Sequence, residues 1–467
     1  MLSIIGAAQN ETSHPNIIYI NVDDLGWKDL SCMGSTYFET PNIDKFSKEG
    51  MTFTQGYASA SNCAPSRACL MSGQNTPRHG IYTVGSSERG NKKLRKLIPI
   101  KNTNSISDQM VTMAEGFKLA GYITGSFGKW HISENPLNDG FDINIGGNHM
   151  GNPGKKGYFA PYNSLPNLDL AVIGENLTDR LTTEAISFIE SNKEKPFFLY
   201  LPFYAVHTPL MGKSELVQKY EKKGGRNGQD NPEFAAMVEN VDMNIGRLLL
   251  LIDELKLREN TLIVITSDNG GIRAISHQDP LRAGKGSYYE GGVRVPYIVR
   301  WPAQIAADTI NNSPIVNLDF FPTFMHLIGV SIENKVFDGK NITRLLMGEE
   351  MDKRPIFWHF PIYLQAYNSK KDEGRDPFFR TRPGSAVVYD NWKLHHYFED
   401  DAIELYNLHD DLGEKNDLSK VHAEKAAELF ELLNNWRVEV GAEIPRELNL
   451  NYVKNFENSK KRKQTKN

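Results

Sequence analysis

Four stretches of this chain read as buried strands, and each runs straight into residues that do not belong in a core. Asn16-Ile-Ile-Tyr-Ile-Asn-Val22 leads into Asp23-Asp24, and Gly121-Tyr-Ile-Thr-Gly-Ser-Phe127 into Gly128-Lys129-Trp130-His131. Pro196-Phe-Phe-Leu-Tyr-Leu-Pro-Phe203 leads to His207-Thr208-Pro209, and Thr261-Leu-Ile-Val-Ile-Thr-Ser267 into Asp268-Asn269. Near-continuous apolar, β-branched runs of this length suit strands covered on both faces. Strands of that kind, alternating with helical patterns, imply a mainly parallel sheet between two layers of helices. Ligands of such sheets bind beyond the carboxyl ends of the strands. Topology alone therefore gathers Asp23, Asp24, Lys129, His131, His207, Asp268 and Asn269 on one edge.

The helical patterns lie where that architecture needs them. Ile106, Met110, Met113, Ala114, Phe117 and Ala120 recur at helical spacing and predict a helix over 107–120. Helices are also expected over 178–191, over 232–257 with Val238, Val241, Ile245, Leu248, Leu249 and Ile252 as its buried stripe, and over 319–328. Near Arg354 the texture changes to short strands over 355–360, 385–389, 392–397 and 404–408, closed by a helix over 421–438. The expected fold is α/β: a large, mainly parallel sheet sandwiched by helices, with a small C-terminal antiparallel sheet plus helix. The expected division is a tail or leader remnant over 1–13, a catalytic domain over 14–350, a C-terminal subdomain over 351–450 and a basic tail over 451–467.

With 467 residues, 40% apolar, the chain can bury a large core, and its net charge of −4 argues against a general nucleic-acid binder. Cys32, Cys63 and Cys69 are too few for a disulfide framework. No run of 18 apolar residues exists, so no membrane span is expected. The start, Met-Leu-Ser-Ile-Ile-Gly-Ala-Ala-Gln, reads either as the remnant of a signal peptide or as a tail.

A further stretch carries a nucleophile. Met51-Thr-Phe-Thr-Gln-Gly-Tyr-Ala58 alternates like a strand and is followed by Ser61-Asn62-Cys63-Ala64-Pro65-Ser66-Arg67. Pro65 suits a first helical turn and Gly73 a helix stop. Cys63 then sits at a strand-to-helix turn, which favours an anion. Asp23, Asp24, Asp268 and Asn269 offer three carboxylates and an amide oxygen, a hard set that suits Ca²⁺ or Mg²⁺ rather than zinc. A capped Asp turn is the alternative for the Asp pair. Lys129 and Lys285 would neutralise an anionic substrate, and a histidine would serve as acid.

Cys63-x-Pro-x-Arg67, together with these metal-ligand and lysine positions, resembles the formylglycine-dependent type I sulfatases over roughly residues 14 to 440. The resemblance implies that Cys63 is oxidised by a maturase to Cα-formylglycine, whose hydrate attacks sulfur, with Arg67 steadying it. It implies calcium on Asp23, Asp24, Asp268 and Asn269, sulfate on Lys129 and Lys285, and proton transfers at His131 and His207. His207 would protonate the leaving alcohol, and His131 would help expel sulfate. Asn148 or His149 is the nearest match to a further sulfate contact. The expected substrate is a sulfated carbohydrate met in the periplasm or outside the cell. Arg375, Arg380 and Arg382, in a loop of the C-terminal subdomain, are expected to reach over the pocket to an anionic glycan. Two alternatives stay open: a phosphonate monoester or phosphodiester hydrolase using the same nucleophile, and an inactive protein that only binds sulfated glycans.

Overall fold

The structure, a computed structural model, describes residues 14–168, 172–454 and 456. The apolar start and the basic run at 460–463 lie outside the described residues. The large sheet has eight strands: β1 (Asn16–Val22), β2 (Met51–Phe53), β3 (Ile123–Phe127), β4 (Ile143–Ile145), β5 (Phe197–Phe203), β6 (Thr261–Ser267), β7 (Tyr297–Arg300) and β8 (Thr309–Asn311). Their spatial order is β4-β3-β5-β1-β6-β7-β2-β8. All are parallel except β7, which runs against both β6 and β2. β1 sits at the centre, with Val22 opposite Phe203 on one side and Ser267 on the other. The residues after all three strands therefore emerge at one level of one edge.

Strand alternation explains the two cores. Ile18, Ile20 and Val22 of β1 point into one layer, where helices Pro41–Lys48, Leu177–Asn192 and Pro232–Glu254 pack. Ile17 and Tyr19 point into the other, against helices Cys63–Ser72, Met113–Leu119 and Phe320–Leu327. Two sequence expectations need correction. The helix predicted over 107–120 starts at Met113, because Thr112 and Glu115 form a reciprocal capping box that ends the preceding loop. The stretch 51–58 is two strands in different sheets: Met51–Phe53 joins the large sheet, while Gly56–Tyr57 pairs with Ile315–Val316.

The C-terminal part is a four-stranded antiparallel sheet, β9 (Ile356–Phe360), β10 (Gly384–Tyr389), β11 (Trp392–Tyr397) and β12 (Ala402–Asn407), in that spatial order. Helix Ala423–Glu439 covers it, with Trp436 stacked on Phe357 at 4.7 Å. The sheet is fixed to the larger part through Trp358, whose indole N–H donates to the Ala58 carbonyl at 2.8 Å and whose ring meets Tyr57. Among the described residues no helix is long and apolar enough to cross a membrane.

Candidate active site

Asp23 and Asp24 follow β1, and Asp268 and Asn269 follow β6; all four are buried. Asp24 takes a left-handed backbone at φ 63°, uncommon for a non-glycine residue, and its N–H donates to Asp268 Oδ1 at 3.2 Å. Cys63 is the first residue of helix Cys63–Ser72 and is 2% exposed, so it lies inside the edge rather than at a surface turn. Its N-cap, Asn62, is extended and makes no side-chain cap, leaving that helix end unblocked by its own side chain. Gly73 ends the helix at φ 67°, as a left-handed stop requires.

One helical turn on, the Arg67 guanidinium ties the set together. It donates to Asp268 Oδ2 at 2.8 Å and to the Lys129 carbonyl at 2.7 Å. Lys129 Nζ contacts Asp23 Oδ2, and Lys285 Nζ lies 2.6 Å from Asp24 Oδ1. His207 Nε2 is 3.8 Å from Asp24 Oδ2. Reactive atoms of Asp23, Asp24 and His207, and of Asp23, Cys63 and Asp268, lie within 4.8 Å of one another.

The electrostatics follow from burial and from who sits beside whom. Burial, then Asp268, pushes Asp23 up to about 7 against the pull of Lys129 and Arg67. Burial would raise Asp24 too, but Lys285 and His207 hold it below the usual carboxylate range. Burial and Lys285 push His207 down to about 3, and burial with Lys129 lowers His131 well below its ordinary value. Burial opposes charging of Lys285, yet Asp24 lifts it well above the usual lysine range.

Two oxygens in this crowd have no hydrogen-bond donor: Asp23 Oδ1 and Asn269 Oδ1, both buried. The Asn269 side-chain N–H groups donate to Asp24 Oδ1 at 2.8 Å and to the Gly270 carbonyl at 3.0 Å, leaving its oxygen without a donor. Buried acceptors without donors are costly. Three carboxylates and an amide oxygen with two orphaned acceptors fit a hard divalent cation.

Several contacts that hold the set were not readable from sequence. The Asn148 carbonyl accepts from the His131 N–H at 2.8 Å, fixing a histidine that has φ 71°. The Asn148 side chain donates to the Ser164 carbonyl at 2.9 Å and accepts the Met150 N–H at 2.8 Å. His149 is paired with Glu134 at 2.9 Å. The Tyr158 hydroxyl donates to the carbonyls of Tyr204 and His207, at 2.5 and 2.7 Å. Asn317 donates to the Ser66 carbonyl at 2.8 Å and to its hydroxyl at 3.0 Å, inside helix Cys63–Ser72. Each contact depends on a fold-level approach that no local motif encodes.

The three C-terminal arginines depart from expectation. Arg375 pairs with Asp400 and Glu404, and Arg382 with Asp376 and Glu399. Arg380 is buried, lies over the Tyr367 ring at 3.4 Å, and donates to the Lys285 carbonyl at 2.9 Å. Acids beside Arg375 and Arg382 and the carbonyls facing Arg380 had already claimed these guanidiniums. Arg380 thus braces the loop that carries Lys285, and Gly286 in that loop donates its N–H to the Ser61 carbonyl at 2.8 Å.

A profile of the sulfatase family matches residues 15–330, two thirds of the chain and every residue of the edge described above. The chain belongs to the sulfatase family. A second profile, described as the C-terminal region of N-sulphoglucosamine sulphohydrolase, matches residues 284–439 of this sulfatase. A sulfatase of Formosa agariphila is 33% identical, covering 86% of this chain and 84% of its own. An N-acetylgalactosamine-6-O-sulfatase of Bacteroides thetaiotaomicron is 28% identical over 90% of this chain and 93% of its own. Among solved structures, Ps i-CgsB in complex with k-i-k-neocarrahexaose superposes with TM-score 0.75 and 28% identity, covering 97% of this sulfatase and 98% of that chain. The family assignment makes the enzyme a hydrolase of sulfate monoesters.

Proposed function

We propose that this sulfatase removes sulfate from a sulfated carbohydrate, using Cys63 as the precursor of its nucleophile and Asp23, Asp24, Asp268 and Asn269 as ligands of calcium or magnesium. The observation that carries the reading is the buried oxygen set with two orphaned acceptors, packed against Cys63 and flanked by two lysines. Relatives named for N-acetylgalactosamine sulfate esters, and a similar structure holding a carrageenan oligosaccharide, support the carbohydrate class.

When present, hydrated formylglycine at 63 supplies an oxygen nucleophile, and the divalent cation polarises a sulfate oxygen. The chain's own residues do the rest. Lys129 and Lys285 take the ester's negative charge; both now rest on carboxylates that a cation would occupy instead. Arg67, locked by Asp268 and the Lys129 carbonyl, keeps the start of the nucleophile helix in register with the strand ends. The Thr208 carbonyl can only accept, so the 2.6 Å contact with His207 makes Nδ1 the donor and leaves Nε2 facing the site. Once Nε2 is protonated its proton can pass to the leaving alcohol; burial and Lys285 disfavour that protonation, and the ester's negative charge works against both. His131, with Nδ1 buried and without a partner, is positioned as the second proton-transfer group.

The same reading assigns residues 14–350 to catalysis and 351–450 to bracing it, requires a maturase that acts on Cys63, and puts the enzyme in the periplasm or outside the cell. The test is His207→Ala assayed on two substrate types. An activated aryl sulfate has a leaving group that departs unaided, whereas a sugar alkoxide needs the proton. The kcat/KM on a sugar sulfate should fall about a hundredfold further than on the aryl sulfate. Equal loss on both would remove the acid role from His207.

A further inference from the structure

Beside the nucleophile lies a cavity of about 420 Å³ that the mechanism does not use. Ala64, next to Cys63, and His131 form the end nearest the catalytic groups. Ile81 and Val84 give it an apolar wall, while Thr83, Asn104, Ser105, Ser133, Glu134 and His149 supply polar atoms. Gly151 packs against the His131 ring: a Cβ there would stand 2.5 Å from Cε1, so only glycine allows this close approach. Its volume falls within the range of small-ligand sites.

Charge points to the ligand. No lysine or arginine lines the cavity, and the Glu134 carboxylate, paired with His149 at 2.9 Å, stands at it. A uronate or second sulfate here would meet the Glu134 carboxylate where no lysine or arginine lines the wall, and that repulsion is a selection device. Hydroxyls fit: Glu134 accepts, Asn104 can donate, and Ile81 and Val84 offer an apolar surface for the ring's C–H face.

We propose that this cavity is the subsite for an uncharged sugar ring, and that Glu134 excludes acidic sugars from it. The inference rests on the carbohydrate-sulfatase reading above and adds which class of sugar is taken.

The test compares sugars that differ only by a carboxylate: galactose against galacturonate and glucose against glucuronate. Saturation-transfer NMR on the full chain reads binding without requiring turnover. At least one neutral hexose should bind, its uronate about fivefold or more weakly, and an aryl sulfate should displace the hexose. Glu134→Lys should reverse the preference. The inference is overturned if no hexose binds at tens of millimolar, if the uronates bind as well in the wild type, or if Glu134→Lys leaves the ratio within twofold. Kinetics provide the second arm: for Glu134→Lys the ratio of kcat/KM on a neutral sugar sulfate to that on an aryl sulfate should drop about tenfold. A protein that hydrolyses no sulfate ester but keeps the hexose preference refutes the functional reading alone. An active sulfatase without that preference refutes the subsite alone.

Discussion

At the carboxyl edge of the large sheet, Asp23, Asp24 and Asp268 meet Lys129, Lys285 and Arg67; at the seam with the small sheet, Glu290 and Glu414 meet Lys393 and Arg294. Both clusters are buried, and in both the formal charges balance. They differ in how their acceptors are satisfied. At the seam, Lys393 Nζ lies 2.8 Å from Glu290 and 3.2 Å from Glu414, and Arg294 and Tyr57 take the other Glu290 oxygen. The second Glu414 oxygen accepts the Glu290 N–H at 2.5 Å. Every carboxylate oxygen there has a donor. At the strand edge, Asp23 Oδ1 and Asn269 Oδ1 have none, and Asp24 and His131 hold left-handed backbones. A closed cluster fastens two sheets together; an open one with local strain is built to take a ligand.

The largest effect should come from Cys63→Ala. Turnover should fall by about four orders of magnitude or more, while the melting temperature moves little, because a small buried side chain becomes a slightly smaller one. Substantial activity in that variant would take the nucleophile away from residue 63.

Next, one substitution in each cluster separates their roles. Asp268→Ala strips Arg67 of its carboxylate and opens the oxygen set. It should cost about 3–5 kcal/mol in denaturant melts and abolish both stoichiometric divalent metal and turnover. Lys393→Met should cost about 3–5 kcal/mol by taking the lysine from buried Glu414 and leaving Glu290 with Arg294 alone. Its bound metal and kcat should survive below the melting transition. If Lys393→Met lost metal as Asp268→Ala does, the two clusters would be one functional unit.

The pH dependence sharpens the contrast at the seam. Burial, countered by Lys393, pushes Glu414 up from 4.5 to about 7, and Glu290 beside it is lowered by Lys393 and Arg294 despite burial. A raised folded-state value means that the folded protein keeps a proton the unfolded chain releases. Glu414 therefore contributes stability fully present below about pH 4.5 and lost as pH rises through about 7. Glu290 works oppositely, contributing above its ordinary value and losing that as pH falls. Lys393 and His395 also face Glu414, and burial holds His395 neutral, down to about 3. Glu414→Gln keeps an acceptor for the Glu290 N–H and should flatten the stability profile between about pH 4.5 and 7 in denaturant melts. An unchanged profile would put the titration elsewhere.

The smallest effects distinguish the C-terminal arginines. Arg375→Ala removes a partly exposed pair with Asp400 and should cost less than about 1 kcal/mol, with no change in KM on a sugar sulfate. Arg380→Ala loosens the Lys285 loop and should lower kcat/KM several-fold on sugar and aryl sulfates alike, with partial rescue in Arg380→Lys. A KM rise confined to glycan substrates would restore the glycan contact expected from sequence.

The sequence was most informative where local pattern and topology coincide. Runs such as Asn16–Val22 and Thr261–Ser267 are apolar on both faces, so their burial, their parallel pairing and the level at which Asp23 and Asp268 emerge follow together. The Cys63 helix, with its glycine stop, was equally legible. What stayed hidden depends on long-range approach. The breakdown of 51–58 into two sheets needs Ile315–Val316 from far along the chain. The arginine loop read as cationic and available because its partners, from Asp400 to the Lys285 carbonyl, are invisible to composition. Glu134 carried no motif, and only the fold joins it to His149 on a wall beside His131.

The account turns on the chemical state of residue 63 in active enzyme. Mass spectrometry of the peptide spanning Ser61–Arg67, taken from protein that turns over a sulfate ester, reads that state directly. The account predicts a peptide lighter by the exchange of thiol for aldehyde and captured by a hydrazide reagent. A peptide carrying only the unmodified Cys63 thiol in a fully active preparation would contradict it.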